Sequence, residues 1–220
     1  MAWFKRKSNK NTDETTGVVE TEAPREELAG GTDDTRGVRG PWDRDDEAAA
    51  TMPRVSFGAL EIPVIQGMQV APVPNPHDPS QILALEVIIG AAQMQVAAVA
   101  TRRSGGGWEQ ILEEFPPLFE GEGCSVERVE GEREQLLITP PEGVEGAMPI
   151  LVDGHQGSGW FLRVLYRGAA ATDPYARASL EELVSGCLVS RGEELLTPGE
   201  PIPLTLPQVE PQEPTSTHEA

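Results

Sequence analysis

Residues 82–99 read Ile-Leu-Ala-Leu-Glu-Val-Ile-Ile-Gly-Ala-Ala-Gln-Met-Gln-Val-Ala-Ala-Val. The first eight carry a single charge, Glu86, and are rich in β-branched side chains. An apolar run of that length, closed by a glycine, has the signature of a strand buried in a sheet. After the turn at Gly90, Gln93 to Val99 shows partial alternation of polar and apolar residues. The two runs therefore predict a β-hairpin, and the hairpin puts a sheet at the centre of the domain.

Downstream, Trp108, Ile111, Leu112, Phe115 and Phe119 recur at spacings of three and four, the stripe of an amphipathic helix packed on that sheet. Pro116-Pro117 should break or sharply distort it, because neither ring donates an amide, so a short helix is expected. Cys124 to Glu130, Glu134 to Thr139, Met148 to Val152 and Trp160 to Tyr166 are short β-prone runs between Gly, Pro or acidic turns, an antiparallel meander. Gly154 to Gly159 is read as a long hairpin turn, which makes His155 a solvated turn histidine.

A second helix should start near Asp173-Pro174, capped by Asp173 or Thr172, and run through Leu180, Leu183 and Val184. Leu188 to Ser190 adds a short strand, and Pro198 to Pro207 should lie extended against the domain. Upstream, Val55, Phe57, Leu60, Ile62, Val64 and Ile65 form edge-type strands interrupted by Gly58 and Pro63. Pro72, Pro74, Pro76 and Pro79 read as a loop. Strands, helix, strands, helix and an extended tail make an α+β fold: a mostly antiparallel sheet with two packed helices and no βαβ alternation. That order is similar to the PsbP and Mog1 sandwich.

The chain of 220 residues is 38% hydrophobic and 24% charged, enough for one globular domain of about 150 residues plus tails. Ser8 to Met52 holds too little apolar area to offset ordering entropy. The expected division is a disordered acidic tail over 1–37 with a short basic head, a single domain over 38–207 ordered from about Arg54, and a disordered tail over 208–220. The Gly40-Pro41-Trp42-Asp43 turn is the exception, since a Trp in an acidic linker docks back onto the domain it precedes.

A net charge of −19 argues against nucleic-acid binding, which needs clustered basic residues. Residues 54–207 contain twenty-one acids against nine bases, all arginine. No window offers the roughly 20 apolar residues of a membrane helix, and no secretory signal is legible, which places the protein in the cytoplasm. The head Met1-Ala2-Trp3-Phe4-Lys5-Arg6-Lys7 would give an anionic membrane only transient contact. Cys124 and Cys187 are expected to be reduced, small hydrophobic side chains.

Arg102-Arg103-Ser104-Gly105-Gly106-Gly107-Trp108 is the most chemical-looking segment: two guanidinium groups and a glycine run feed a helix amino end, where free amides could hold a phosphate or carboxylate. A flexible strand-to-helix turn is the simpler and preferred reading. It is neither a Walker loop nor a dinucleotide fingerprint. Gly154 to Gly159 lacks the spacing of a nucleophile elbow. The three histidines stand alone, so no metal site, catalytic residue or cofactor is expected. Trp108, Trp160, Phe161 and Tyr166 are candidates for the core, and Trp160 or Trp42, if exposed, would mark a partner patch.

Arg54 to Leu60, Ala100 to Trp108 and Gly159-Trp160-Phe161-Leu162-Arg163 resemble an actinobacterial family, that of domain of unknown function 3710. Gly40-Pro41-Trp42-Asp43, Val189-Ser190-Arg191-Gly192 and Pro201-Ile202-Pro203-Leu204 resemble its opening turn and closing segment. The resemblance covers roughly Val38 to Pro207 and implies a cytoplasmic protein, with no activity or ligand to carry over; Pro116-Pro117 departs from its usual pattern. The sequence thus favours a non-enzymatic protein-interaction or adaptor domain with an unidentified protein partner. The rival is a small-anion or small-ligand site built on Arg102, Arg103, Gly106 and Gly107, with Trp108 and Trp160 as further candidate contacts.

Overall fold

The computed structural model describes residues 40–46, 52–144 and 146–207; the expected tails and the basic head lie outside the described residues. In chain order the elements are β1 (Trp42–Asp43), β2 (Arg54–Ser56), β3 (Leu60–Pro63), β4 (Met68–Pro74), β5 (Ile82–Ile89), β6 (Ala92–Ala100) and α1 (Gly107–Gly121). There follow β7 (Ser125–Val129), β8 (Gln135–Thr139), β9 (Ile150–Gly157), β10 (Trp160–Arg167), α2 (Ala169–Thr172), α3 (Pro174–Ser185) and β11 (Leu188–Val189). The fold is α+β, with a seven-stranded antiparallel sheet in the order β4-β5-β6-β10-β9-β8-β7. A small sheet, β1-β11-β3-β2, pairs β1 parallel to β11.

The central hairpin is β5 and β6, as its apolar runs predict, in a register from Leu85 opposite Val96 to Ile89 opposite Ala92. Alternate residues face opposite sides. Leu85, Val87, Met94, Val96, Leu162, Val164 and Tyr166 face a core shared with Leu60, Ile62, Leu180, Leu183 and Val189 from the small sheet and α3. On the other side Trp108 and Leu112 of α1 pack against Leu136, Ile138 and Val152. Asp173 caps α3 by accepting from the Tyr175 amide, with Pro174 at its first turn.

Four expectations need correction. Helix α1 is not short: it runs fifteen residues through both prolines. Pro116 has no N–H for the Leu112 carbonyl one turn back, and Arg128 Nη2 donates to that carbonyl instead, at 2.9 Å. The supposed proline loop is in part β4, whose Pro72 and Pro74 lie in an edge strand. Two residues apart, they put their missing donors on one side of the strand, and an edge strand has one side to spare.

The long turn from Gly154 shrinks to Ser158-Gly159, because β9 continues to Gly157, and His155 is buried opposite Leu162 rather than solvated. A third helix, the four-residue α2, follows Gly168. The closing segment is extended as expected, and it enters the large sheet: Ile202 N–H donates to the Ala98 carbonyl and Leu204 N–H to that of Ile82, both at 2.8 Å. It occupies the fork where β5 and β6 diverge beyond Leu85. Among the described residues no helix is long and apolar enough to cross a membrane.

Candidate functional site

The expected anion site begins where β6 ends. Gly105 and Gly106 take the left-handed backbone, φ 83° and 91°, that turns the chain into α1. A Cβ on Gly107 would stand 2.7 Å from the Phe161 ring, so this end of the helix lies directly on β10. The amide of Gly106 donates to Gln156 Oε1 at 3.3 Å, while Gln156 Nε2 donates to the first-turn carboxylate of Glu109 at 2.8 Å. A side-chain amide and a carboxylate of the protein itself therefore complement the positive end of the helix. Arg102 is exposed and stands apart from the cleft that Arg103 lines. The structure does not gather Arg102 and Arg103 around the amides of Gly106 and Gly107.

Both candidate tryptophans are interior. Trp108, 6% exposed, lies flat on Gly154 and donates its indole N–H to the Glu134 carbonyl at 3.0 Å. Trp160 is fully buried against Gly157, and its indole N–H donates to Asp43 Oδ1. Neither presents a face to a partner; they act as core residues with satisfied polar tips.

Asp43 leads to the site that the folded chain does assemble. Its second carboxylate oxygen accepts the Ser158 amide at 3.2 Å, fixing the Gly40-Pro41-Trp42-Asp43 turn to the tip of the β9–β10 hairpin. The parallel pairing of β1 with β11 brings Ser190-Arg191-Gly192 alongside. Beyond β6, Arg103 reaches the same tip. At Gly159, φ 78°, a Cβ would lie 3.6 Å from Arg103 Cγ and 3.7 Å from Arg191 Cγ, so both side chains rest on one bare glycine. Asp43, Arg44, Asp45, Asp46, Arg103 and Arg191 surround an open cleft of about 410 Å³.

The charges in this cleft are unevenly compensated. Arg44 pairs with Glu61 at 2.7 Å, and Asp43 holds its two donors. Arg191 donates to the carbonyls of Glu194 and Leu196 at 3.1 and 3.5 Å, neutral acceptors that fix the side chain without cancelling its charge. Arg103 has neither a hydrogen bond nor an ion pair among the described residues. Reading motif by motif missed Arg191 and Arg44, because nothing local in Ser190-Arg191-Gly192 links it to Arg103 some ninety residues earlier. The available signal was that both lie in segments through which the sequence resembles one family.

A second polar cluster is shut inside. Asp153, 1% exposed, accepts from its neighbour Gly154 N at 2.8 Å and from Arg133 Nε and Nη2 at 3.3 and 3.2 Å. His155 Nε2 stands 3.3 Å from Asp153 Oδ2, close enough for an ion pair but without hydrogen-bond alignment. Burial would raise the Asp153 pKa, but the contacts with His155 and Arg133 outweigh it and hold the carboxyl well below the usual range. The arrangement resembles an orienting pair, but solvent scarcely reaches it. Among the described residues no group of three or more His, Cys, Asp or Glu side chains is placed to hold a metal ion.

Over residues 40–213 the chain matches the profile of a family described as "Protein of unknown function (DUF3710)". Comparison with curated proteins and with solved structures finds no match.

Proposed function

The chain belongs to the DUF3710 family, and from its geometry we propose that it is a non-enzymatic protein-interaction domain that meets its partner at the cleft on the β9–β10 hairpin tip. The observation carrying this reading is Arg103, a guanidinium that lines a cleft and has no partner among the described residues. A surface guanidinium on a rigid frame suits recognition, since Arg is enriched at interface centres. The buried Asp153–His155 pair, by contrast, offers a substrate no approach. A standard interface covers about 800 Å² per partner, so the cleft would form the centre of a footprint that extends onto the flanking loops. The setting we propose is the cytoplasm, in keeping with two unpaired cysteines.

Affinity capture from the native cytoplasm, comparing the full chain with its Arg103→Glu variant and with a control changed at the exposed loop residue Ser80, which does not line the cleft, tests the reading. A protein retained by the full chain and the Ser80→Ala control but lost with Arg103→Glu is expected. No retained protein, or equal retention by all three, overturns the proposal.

A further inference from the structure

We propose that the cleft recognises a carboxylate group, held between the guanidinium groups of Arg103 and Arg191. The inference rests on the cleft being the partner's seat and names the chemistry taken there: an acidic side chain or a free carboxyl terminus of the partner. The two cationic side chains lie on one glycine of one tight turn, and none of the acids around the cleft comes within ion-pair distance of either. Two cationic side chains that start beside one glycine and line one cleft favour an anion there. Arginine's planar fork matches a carboxylate in two parallel hydrogen bonds.

Arg191 is anchored through the carbonyls of Glu194 and Leu196, which fixes its direction while leaving donors free. Arg103, without an acceptor among the described residues, is the side that a ligand would complete. Asp45 and Asp46 line the same cleft, and the domain around it is strongly acidic. That field penalises a doubly charged phosphate about twice as much as a singly charged carboxylate at the same place. The preference for carboxylate over phosphate follows from this difference.

The test is a titration of the isotope-labelled full chain, followed by NMR through the arginine Nε–H signals and the Gly159 amide. Acetate, N-acetylglycine, phosphate and methylammonium are the probes, each at constant ionic strength with chloride as reference. Acetate and N-acetylglycine should move the Arg103, Arg191 and Gly159 signals saturably. Arg103→Gln should weaken that binding about tenfold, the loss of one charge-assisted hydrogen-bonding group. Arg191→Lys, which keeps charge but loses the fork, should weaken it too, whereas Arg102→Gln should leave it unchanged.

Saturable shifts with phosphate or methylammonium but not with the carboxylates overturn the assignment, as do acetate shifts that persist in Arg103→Gln. The capture experiment separates the two ideas. Partner capture with silent carboxylates removes the clamp and keeps the interaction reading; carboxylate binding without any captured protein does the reverse.

Discussion

Arg128 and Pro116 should be energetically coupled through the Leu112 carbonyl. Pro116 withholds the amide that would serve the Leu112 carbonyl, and Arg128 Nη2 serves it instead at 2.9 Å. A hydrogen bond from a charged donor contributes about 1.5–3 kcal/mol. The other partner of Arg128 is Glu134 at 2.6 Å, an exposed ion pair that contributes about 0–1 kcal/mol. Arg128→Ala in the native background should therefore cost about 2–3 kcal/mol.

In a Pro116→Ala background the new alanine amide can close the helical bond to Leu112. The same Arg128→Ala change should then cost about 1 kcal/mol or less, leaving a coupling energy of about 1–2 kcal/mol. Urea unfolding of the four proteins measures it. As a thermal check, each kcal/mol corresponds to about 2–4 °C of melting temperature in a domain of this size. Additivity within about 0.5 kcal/mol would refute the idea that the arginine stands in for the missing amide.

Three other outcomes are expected. Gly154→Ala puts a Cβ 2.2 Å from Trp108 Cε3, and because the indole is wedged between helix and sheet the overpacking should cost about 1–3 kcal/mol in a urea melt; unchanged stability would contradict the packing. Asp153 has a folded-state pKa below its unfolded value, so its contribution is present above the unfolded pKa and lost as pH falls through the folded one; stability measured from neutral pH downward should thus fall less steeply below about pH 4 in Asp153→Asn than in the native chain. Burial pushes the Cys187 thiol up to about 12, so a neutral-pH thiol reagent should label half-buried Cys124 in the native state and Cys187 only on unfolding, which mass mapping of the labelled peptides checks.

The hairpin of β5 and β6, the stripe of α1, the meander and the capped start of α3 were legible because each follows from a local period or a local cap. The length of α1 was not, since the donor that rescues the Leu112 carbonyl lies on β7, sixteen residues beyond it. β4 was hidden for a related reason: a proline is hostile to a strand only when its missing amide faces a neighbour, and edge position is a property of the whole sheet. His155 looked like a turn residue among glycines. Those glycines serve tryptophans instead: Gly154 and Gly157 are bare because Trp108 and Trp160 lie on them, so β9 stays regular. Of the site, Arg103 could be singled out from sequence, but its companions could not, because they arrive through the parallel pairing of β1 and β11.

The fates of the arginines explain why the cleft stands out from the rest of the surface. Arg54 donates to the Gly186 carbonyl, Arg128 to that of Leu112, Arg133 to Asp153, and Arg177 to Glu181 and the Ala170 carbonyl. Arg167 lies 3.6 Å from Glu86. These side chains are structural, closing helix ends, loops and sheet rows. Arg163 is largely buried in the sheet between Ala97 and Gly154, where burial lowers its pKa, so it is screened from any large ligand. Arg102 is exposed outside the cleft. Arg103 alone among the described arginines combines an uncommitted charge with a concave setting and a second arginine lining the same cleft. Arg44, Arg128, Arg133, Arg167 and Arg177 each pair with an acid; a guanidinium that lines a cleft without one among the described residues departs from that pattern, and such departures mark function more often than they mark stability.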